Sequence, residues 1–361
     1  MKLFKCTRCG QLIYFENTRC EQCEAPLGFD AASLELKTLS LEETGLFKID
    51  GTKTKNRYRY CFNHQYNVCN WLVNAKSEST FCVACDLNRT IPDLSVPEHL
   101  EEWQKIETAK HRLVYSLLRM KLPLISKKEN EEIGLAFDFI ANSSQEDADK
   151  VLTGHHNGLI TINIAEADDV ERETSRKLMK EVYRTVLGHF RHEIAHYYWD
   201  RLISDTYRLE NFRSLFGDDR INYADALKSH YEQGAPADWN NNFISAYAST
   251  HPWEDWAETW AHYMHIVDTL ETAYSFGLTV DPRGIRTAAS LRAEIKTDPY
   301  RVNDFETIKQ LWLPLTFAMN SLNRSMGLND LYPFIIPPPV FEKMKFIHRV
   351  ILQQGSQLLK S

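Results

Sequence analysis

Apolar positions along the chain change period several times. Leu100, Trp103, Ile106, Leu113 and Leu117 recur at helical spacing, and Ser95 with Pro97 supplies a start signal, so a long helix is predicted from about residue 97. The period then drops to two. Residues 135–140 and 159–164 read as strands, the second with Ile160, Ile162 and Ile164 on one face and Thr161 and Asn163 on the other. Helical periodicity returns from about Glu171 to Leu202, and again over 219–232, 252–275, 303–326 and 339–354, with glycine and proline gathered between. Before residue 97 the pattern is broken: 24–55 reads as a connector with short strands, and Arg57-Tyr58-Arg59-Tyr60 alternates as a half-exposed strand does. The expected fold class is α+β, an N-terminal cysteine-rich region followed by a mostly helical domain with a small sheet.

Composition narrows this picture a little. The 361 residues are 43% hydrophobic and 25% charged, with a net charge of −7, ordinary for globular domains. Through residue 97 twelve Lys and Arg stand against eleven Asp and Glu, a net of +1, so the rest carries −8; an acidic chain does not coat nucleic acid or anionic membrane by bulk charge. No apolar run approaches a membrane span and the first residues lack a signal-peptide pattern, so a cytoplasmic location is expected. The cluster Lys53, Lys55, Arg57 and Arg59 with Tyr58 and Tyr60 would suit single-stranded bases, but the strand reading is preferred.

The cysteines are more informative. All eight lie in the first 85 residues. Cys6, Cys9, Cys20 and Cys23 form two Cys-x2-Cys knuckles, and two knuckles close a tetrahedral zinc site. Cys61, Cys69, Cys82 and Cys85 form a looser set with one standard knuckle; His64 is an alternative ligand, but four cysteines leave no thiol over. Both are expected to be structural zincs. The expected domains are a first ribbon over 1–28, a connector and second ribbon-like module over 29–97, and a catalytic domain over 98–361.

Chemistry concentrates in two helices. His192-Glu193-Ile194-Ala195-His196 puts two histidines four apart on one helical face, where their imidazoles can share a metal, with Glu193 beside them. A catalytic zinc needs a third protein ligand. Candidates follow in the 252–275 helix, with Glu254 and Glu258 at i and i+4 and His262 one turn on; one carboxylate binds and the other supports a ligand histidine, and spacing alone leaves the choice open. His189 lies on the same face as His192 and reads as either a pocket-lining group or an ordinary helix histidine.

These residues resemble known proteins. The histidine–glutamate motif with a glutamate from a later helix is similar to the gluzincin metallopeptidases, and Tyr247-x3-Thr250-x3-Glu254-x3-Glu258 resembles the matching segment of the anthrax lethal factor group. That resemblance implies Glu254 as zinc ligand, Glu258 as its support, Tyr247 as the oxyanion partner and Glu193 as general base. It departs at Ala195, where that group has glycine, and at His251, where it has asparagine. With the cysteine ribbon, Thr90–Leu94, Gly188–His192 and Pro252–Glu258, the wider chain resembles bacterial zinc-binding metallopeptidases with an N-terminal zinc ribbon. The expectation is a zincin-like metallopeptidase with one catalytic and two structural zincs, hydrolysing a peptide or isopeptide bond. From zincin folds, the 159–164 strand is expected at the cleft rim, open to an added peptide strand. The alternative is an adaptor whose ribbons bind a protein or nucleic-acid partner and whose zincin fold is idle.

Overall fold

The computed structural model describes residues 2–142, 151, 153–178, 184–283 and 290–358, and divides the chain into two compact units. One unit comprises Lys2–Arg119 and Pro123–Phe190; the other comprises Arg191–Ser361 with Met120–Leu122.

In the first unit, strands β1 (Phe4–Lys5) and β2 (Leu12–Ile13) form a hairpin around the first cysteine knuckle. The short strands expected within 24–55 are present and begin an antiparallel sheet. Its five strands are β3 (Leu27–Asp30), β4 (Glu35–Leu41), β5 (Phe47–Ile49), β6 (Tyr58–Tyr60) and β7 (Leu72–Asn74), in chain order. Most of these strands are too short for period-two alternation to stand out. Gly45, with φ +77°, makes the β4–β5 turn, a conformation that only a residue without Cβ takes freely. Tyr58 and Tyr60 pack against the Leu39, Ile49 and Leu72 core, Arg57 pairs with Glu42, and Arg59 donates to the carbonyls of Ala75, Ser77 and Ser79. The strand reading of 57–60 therefore holds, and its rings are engaged in packing. Phe15, Phe29, Trp71 and Tyr115 form an aromatic core, with Phe29–Trp71 centroids 4.6 Å apart.

Tyr115 comes from helix α1 (Pro97–Arg119), which starts at the signalled proline and fully buries Trp103, Ile106, Leu113 and Leu117. Strands β8 (Asn88–Thr90), β9 (Ala136–Ile140), β10 (Gly154–His156) and β11 (Leu159–Asn163) make a second sheet in the order β10-β11-β9-β8. Ile160, Ile162 and Ile164 are buried, as alternation predicts. However, β11 is an inner strand, parallel to β9 and antiparallel to β10, so its backbone is not open to an added peptide. The edge is β10.

The predicted helix over 171–202 is divided into α2 (Asp169–Leu178) and α3 (Val186–Leu202), and residues 179–183 of that prediction lie outside the described ones. In the second unit follow α4 (Leu209–Phe216), α5 (Tyr223–Gln233), α6 (Pro252–Ser275), the short hairpin β12 (Thr279–Val280) and β13 (Ala293–Glu294), then α7 (Phe305–Ser325) and α8 (Pro338–Leu358). Helix α4, of eight residues, was not expected. The centre of this unit is α6, which buries Trp256, Trp260, Met264, Val267 and Leu270. Trp256 Nε1 donates to the Ala195 carbonyl at 2.8 Å and Tyr198 stacks on Trp260 at 5.5 Å, locking the motif-bearing part of α3 onto α6. The chain is thus α+β, a cysteine-rich sheet region followed by helices with small sheets, and none of the described helices is long and apolar enough to cross a membrane.

Candidate metal centres

The start of α6 is built with care. His251 caps it, its Nδ1 accepting from the Trp253 backbone N–H at 3.0 Å; Pro252 occupies the first turn, where its missing N–H costs nothing; and Glu254 and Asp255 lie near the positive end of the helix dipole. This fixes Glu254 opposite α3. His192 and His196, four apart on α3, present Nε2 atoms 3.2 Å from each other, and Glu254 Oε2 lies 3.0 Å from the first and 3.6 Å from the second. Three ligands about 2.05 Å from a zinc at tetrahedral angles stand about 3.3 Å apart, so the three atoms fit one ion. Glu254 is 1% exposed, and its Oε2 takes no hydrogen bond of ordinary geometry among the described residues.

Electrostatics points the same way. Burial opposes charging His192, yet Glu254 and Glu258 outweigh it and hold its pKa well above the usual imidazole value. Burial likewise opposes ionising Glu254, and His196 and His192 outweigh it, keeping the carboxyl well below its usual range. His192 and the two carboxylates thus favour one another's charged forms.

Around this trio the other candidates sort by position. Glu258 accepts from His192 Nδ1 at 2.8 Å through Oε1, and its Oε2 accepts from Ser245 Oγ at 2.7 Å; Ser245 Oγ in turn accepts from Ala248 N–H at 3.0 Å. Glu258 thus steadies the His192 ring from behind, fixing which ring nitrogen carries the proton. Tyr247 sits in a short 3-10 turn, Tyr247–Ser249, with its ring 6.0 Å from that of His192. Its pKa is pushed far up, first by burial and then by the Glu254 charge, so the hydroxyl keeps its proton. Glu193 is half-buried beside His192, and its charge contributes to raising the pKa of Tyr223. His262, one turn past Glu258, turns away and pairs with the Tyr332 hydroxyl at 2.8 Å. His189 Nδ1 lies 3.2 Å from Glu166 Oε2 in the first unit.

Two groups here escaped sequence reasoning. Tyr223, at the head of α5, donates to Glu254 Oε1 at 2.7 Å, and Ser245 holds Glu258. Tyr223 lies 31 residues from its partner in no motif, so nothing in the sequence marks it; Ser245 stands close before the Tyr247 segment, but its spacing to Glu258 is not a helical one.

The cysteines gather into the two expected sets. Cys6–Cys23 and Cys9–Cys20 sulfurs are 3.6 Å apart and Cys69–Cys82 sulfurs 3.7 Å, near the roughly 3.8 Å edge of a tetrahedral zinc–thiolate site, and the described cysteines are free thiols. In the second set burial pushes Cys69 and Cys85 up, while hydrogen bonds from Cys69, Cys82 and Cys85 pull Cys61 far down. His64 stays out of this set: its Nδ1 bonds the Cys69 carbonyl at 2.8 Å and its ring stacks on Tyr60 at 3.9 Å. Cys85 also faces Glu107 and His111 of α1, so this second site is tied to the helix that follows it.

Fold and sites define a zinc-binding protein: a ribbon region with two tetracysteine centres, and a helical unit with a histidine–glutamate centre. The chain belongs to the family described as "Putative zinc-binding metallo-peptidase", whose model matches residues 99–350, and a model described as a zinc-ribbon domain matches residues 3–96. Proteins of Mycobacterium bovis and Mycobacterium tuberculosis, both named only as uncharacterized, are each 40% identical over 352 residues, covering 97% of this chain and 95% of theirs. No solved structure matches the chain.

Proposed function

We propose that the chain is a zinc-dependent hydrolase of the gluzincin type, cleaving a peptide, isopeptide or related amide bond, with His192, His196 and Glu254 as zinc ligands and the two tetracysteine sets as structural sites. The observation that carries this reading is the convergence of His192 Nε2, His196 Nε2 and Glu254 Oε2 within 3.0–3.6 Å of one another. When bound there, zinc supplies a water of near-neutral pKa and a Lewis acid for the scissile carbonyl.

The chain's own groups do the rest. Glu193, adjacent to a ligand histidine and only half-buried, takes the proton of the attacking water and passes it to the leaving nitrogen. Tyr247 keeps its proton through neutral pH, so its hydroxyl can donate to the oxyanion that develops on the substrate carbonyl. Glu258, braced by Ser245, holds the His192 ring so that Nε2 faces the metal position.

The test is Glu193→Gln, assayed on a peptide library that the wild type cleaves. Hydrolysis should fall by about 10²–10⁴ while zinc content is unchanged. Unchanged turnover would remove Glu193 as base.

A further inference from the structure

Helix α5 has a feature that calls for explanation: none of its eleven residues is buried. Apolar burial therefore does not hold it in place. It is flanked by Gly217, with φ +105°, and Gly234, with φ +79°, and is capped by Asn222, whose side chain accepts from Asp225 N–H at 3.1 Å.

Two hydrogen bonds fasten its first turn to the head of α6. His251 Nε2 meets the Ile221 carbonyl at 3.0 Å, and Tyr223 donates to Glu254 Oε1 at 2.7 Å. The first follows from the cap. Because His251 Nδ1 accepts from Trp253 N–H, the ring proton must reside on Nε2, which then donates to Ile221. An asparagine at 251 could cap α6, but its short amide could not also reach across as the imidazole does. The Tyr223 ring lies 5.4 Å from that of His251 and 5.7 Å from that of Trp253, completing the seat.

A free carboxylate can rotate or offer both oxygens to a metal. In Glu254, Oε1 is occupied by the tyrosine hydroxyl and Oε2 alone faces the two imidazoles. We infer that Tyr223 is a positioning residue for Glu254, holding the carboxylate by Oε1 so that it binds zinc through a single oxygen, and that His251 is the clamp that sets Tyr223. This rests on Glu254 being a zinc ligand, as proposed above.

The experiment uses the full chain, with histidine-site zinc competed by a chelator and the same site then loaded with Co²⁺. Tyr223→Phe should weaken zinc by about ten- to a hundredfold and alter the Co²⁺ d–d spectrum toward higher coordination, as the freed oxygen joins the metal. His251→Asn, which keeps the cap but drops the clamp, should shift both in the same direction by less. Wild-type near- and far-ultraviolet circular dichroism shows that each variant is folded. Wild-type affinity and spectrum in Tyr223→Phe would overturn the assignment, even with turnover reduced, since that pattern makes the hydroxyl a group acting on substrate. A wild-type His251→Asn would remove the clamp. Glu254→Gln separates the underlying reading: if it keeps histidine-site zinc, the ligand assignment fails and this inference with it.

Discussion

At the scale of single residues, His192 and Glu254 of the histidine–glutamate centre each have a neighbour that fixes one of their atoms. Glu258 accepts from His192 Nδ1, and Tyr223 takes the second oxygen of Glu254. The i,i+4 pair Glu254 and Glu258 was ambiguous from spacing because both fall on one helical face, yet only Glu254 Oε2 faces both Nε2 atoms. Glu254→Gln should therefore lose the histidine-site zinc, whereas Glu258→Gln should keep it at roughly ten- to a hundredfold lower affinity, both read by elemental analysis after graded chelation. Retention in the first with loss in the second would reverse the roles. Tyr247→Phe should lower kcat by about 10²–10³ with zinc content unchanged, as expected for a lost oxyanion donor. Ala195 is fully buried with its carbonyl accepting from Trp256 Nε1, and His251 both caps α6 and meets the Ile221 carbonyl.

At the scale of elements, what was legible depended on length. Helix α6 was readable at both ends, Pro252 and Ser275, because its cap, proline and apolar stripe agree. Strands of two to four residues carry too little pattern, so the bounds and pairing of most of the five-stranded sheet went unread, and α4 with its eight residues was missed. Pairing order was beyond the sequence as well: alternation marked β11 as half-buried but could not say that β10 covers its other edge. The α6 packing predicts that Trp260→Ala, which empties a fully buried site, costs about 3–5 kcal/mol in chemical denaturation. The turn after β11 predicts a pH effect. Burial opposes ionising Glu166, but His189 and Arg184 outweigh it and lower its pKa to about 2 from 4.5. A depressed carboxyl stabilises the folded state above its unfolded pKa, and that stability is lost as pH falls from about 4.5 to 2. Glu166→Gln should accordingly flatten the acid limb of the unfolding curve; an unchanged limb would show that the pair contributes nothing.

At the scale of the whole molecule, the described residues gather into two tetracysteine sets and a histidine–glutamate trio, and Cys85 of the second set also joins Glu107 and His111. The second tetracysteine set is wholly buried against α1, while Cys9 of the first is exposed. Both were visible in the sequence because Cys-x2-Cys spacing encodes its own geometry; the histidine site was visible because i and i+4 do the same. What spacing could not supply was which carboxylate faces both imidazoles and what braces it: Tyr223 stands 31 residues from Glu254, and Glu258 stands 66 from His192. The account's central claim is that His192 and His196 hold a metal apart from the cysteines. Elemental analysis of the purified chain, beside a His192→Ala/His196→Ala variant, tests it directly. Three zincs per chain falling to two is the predicted result; the same count in both proteins would contradict it.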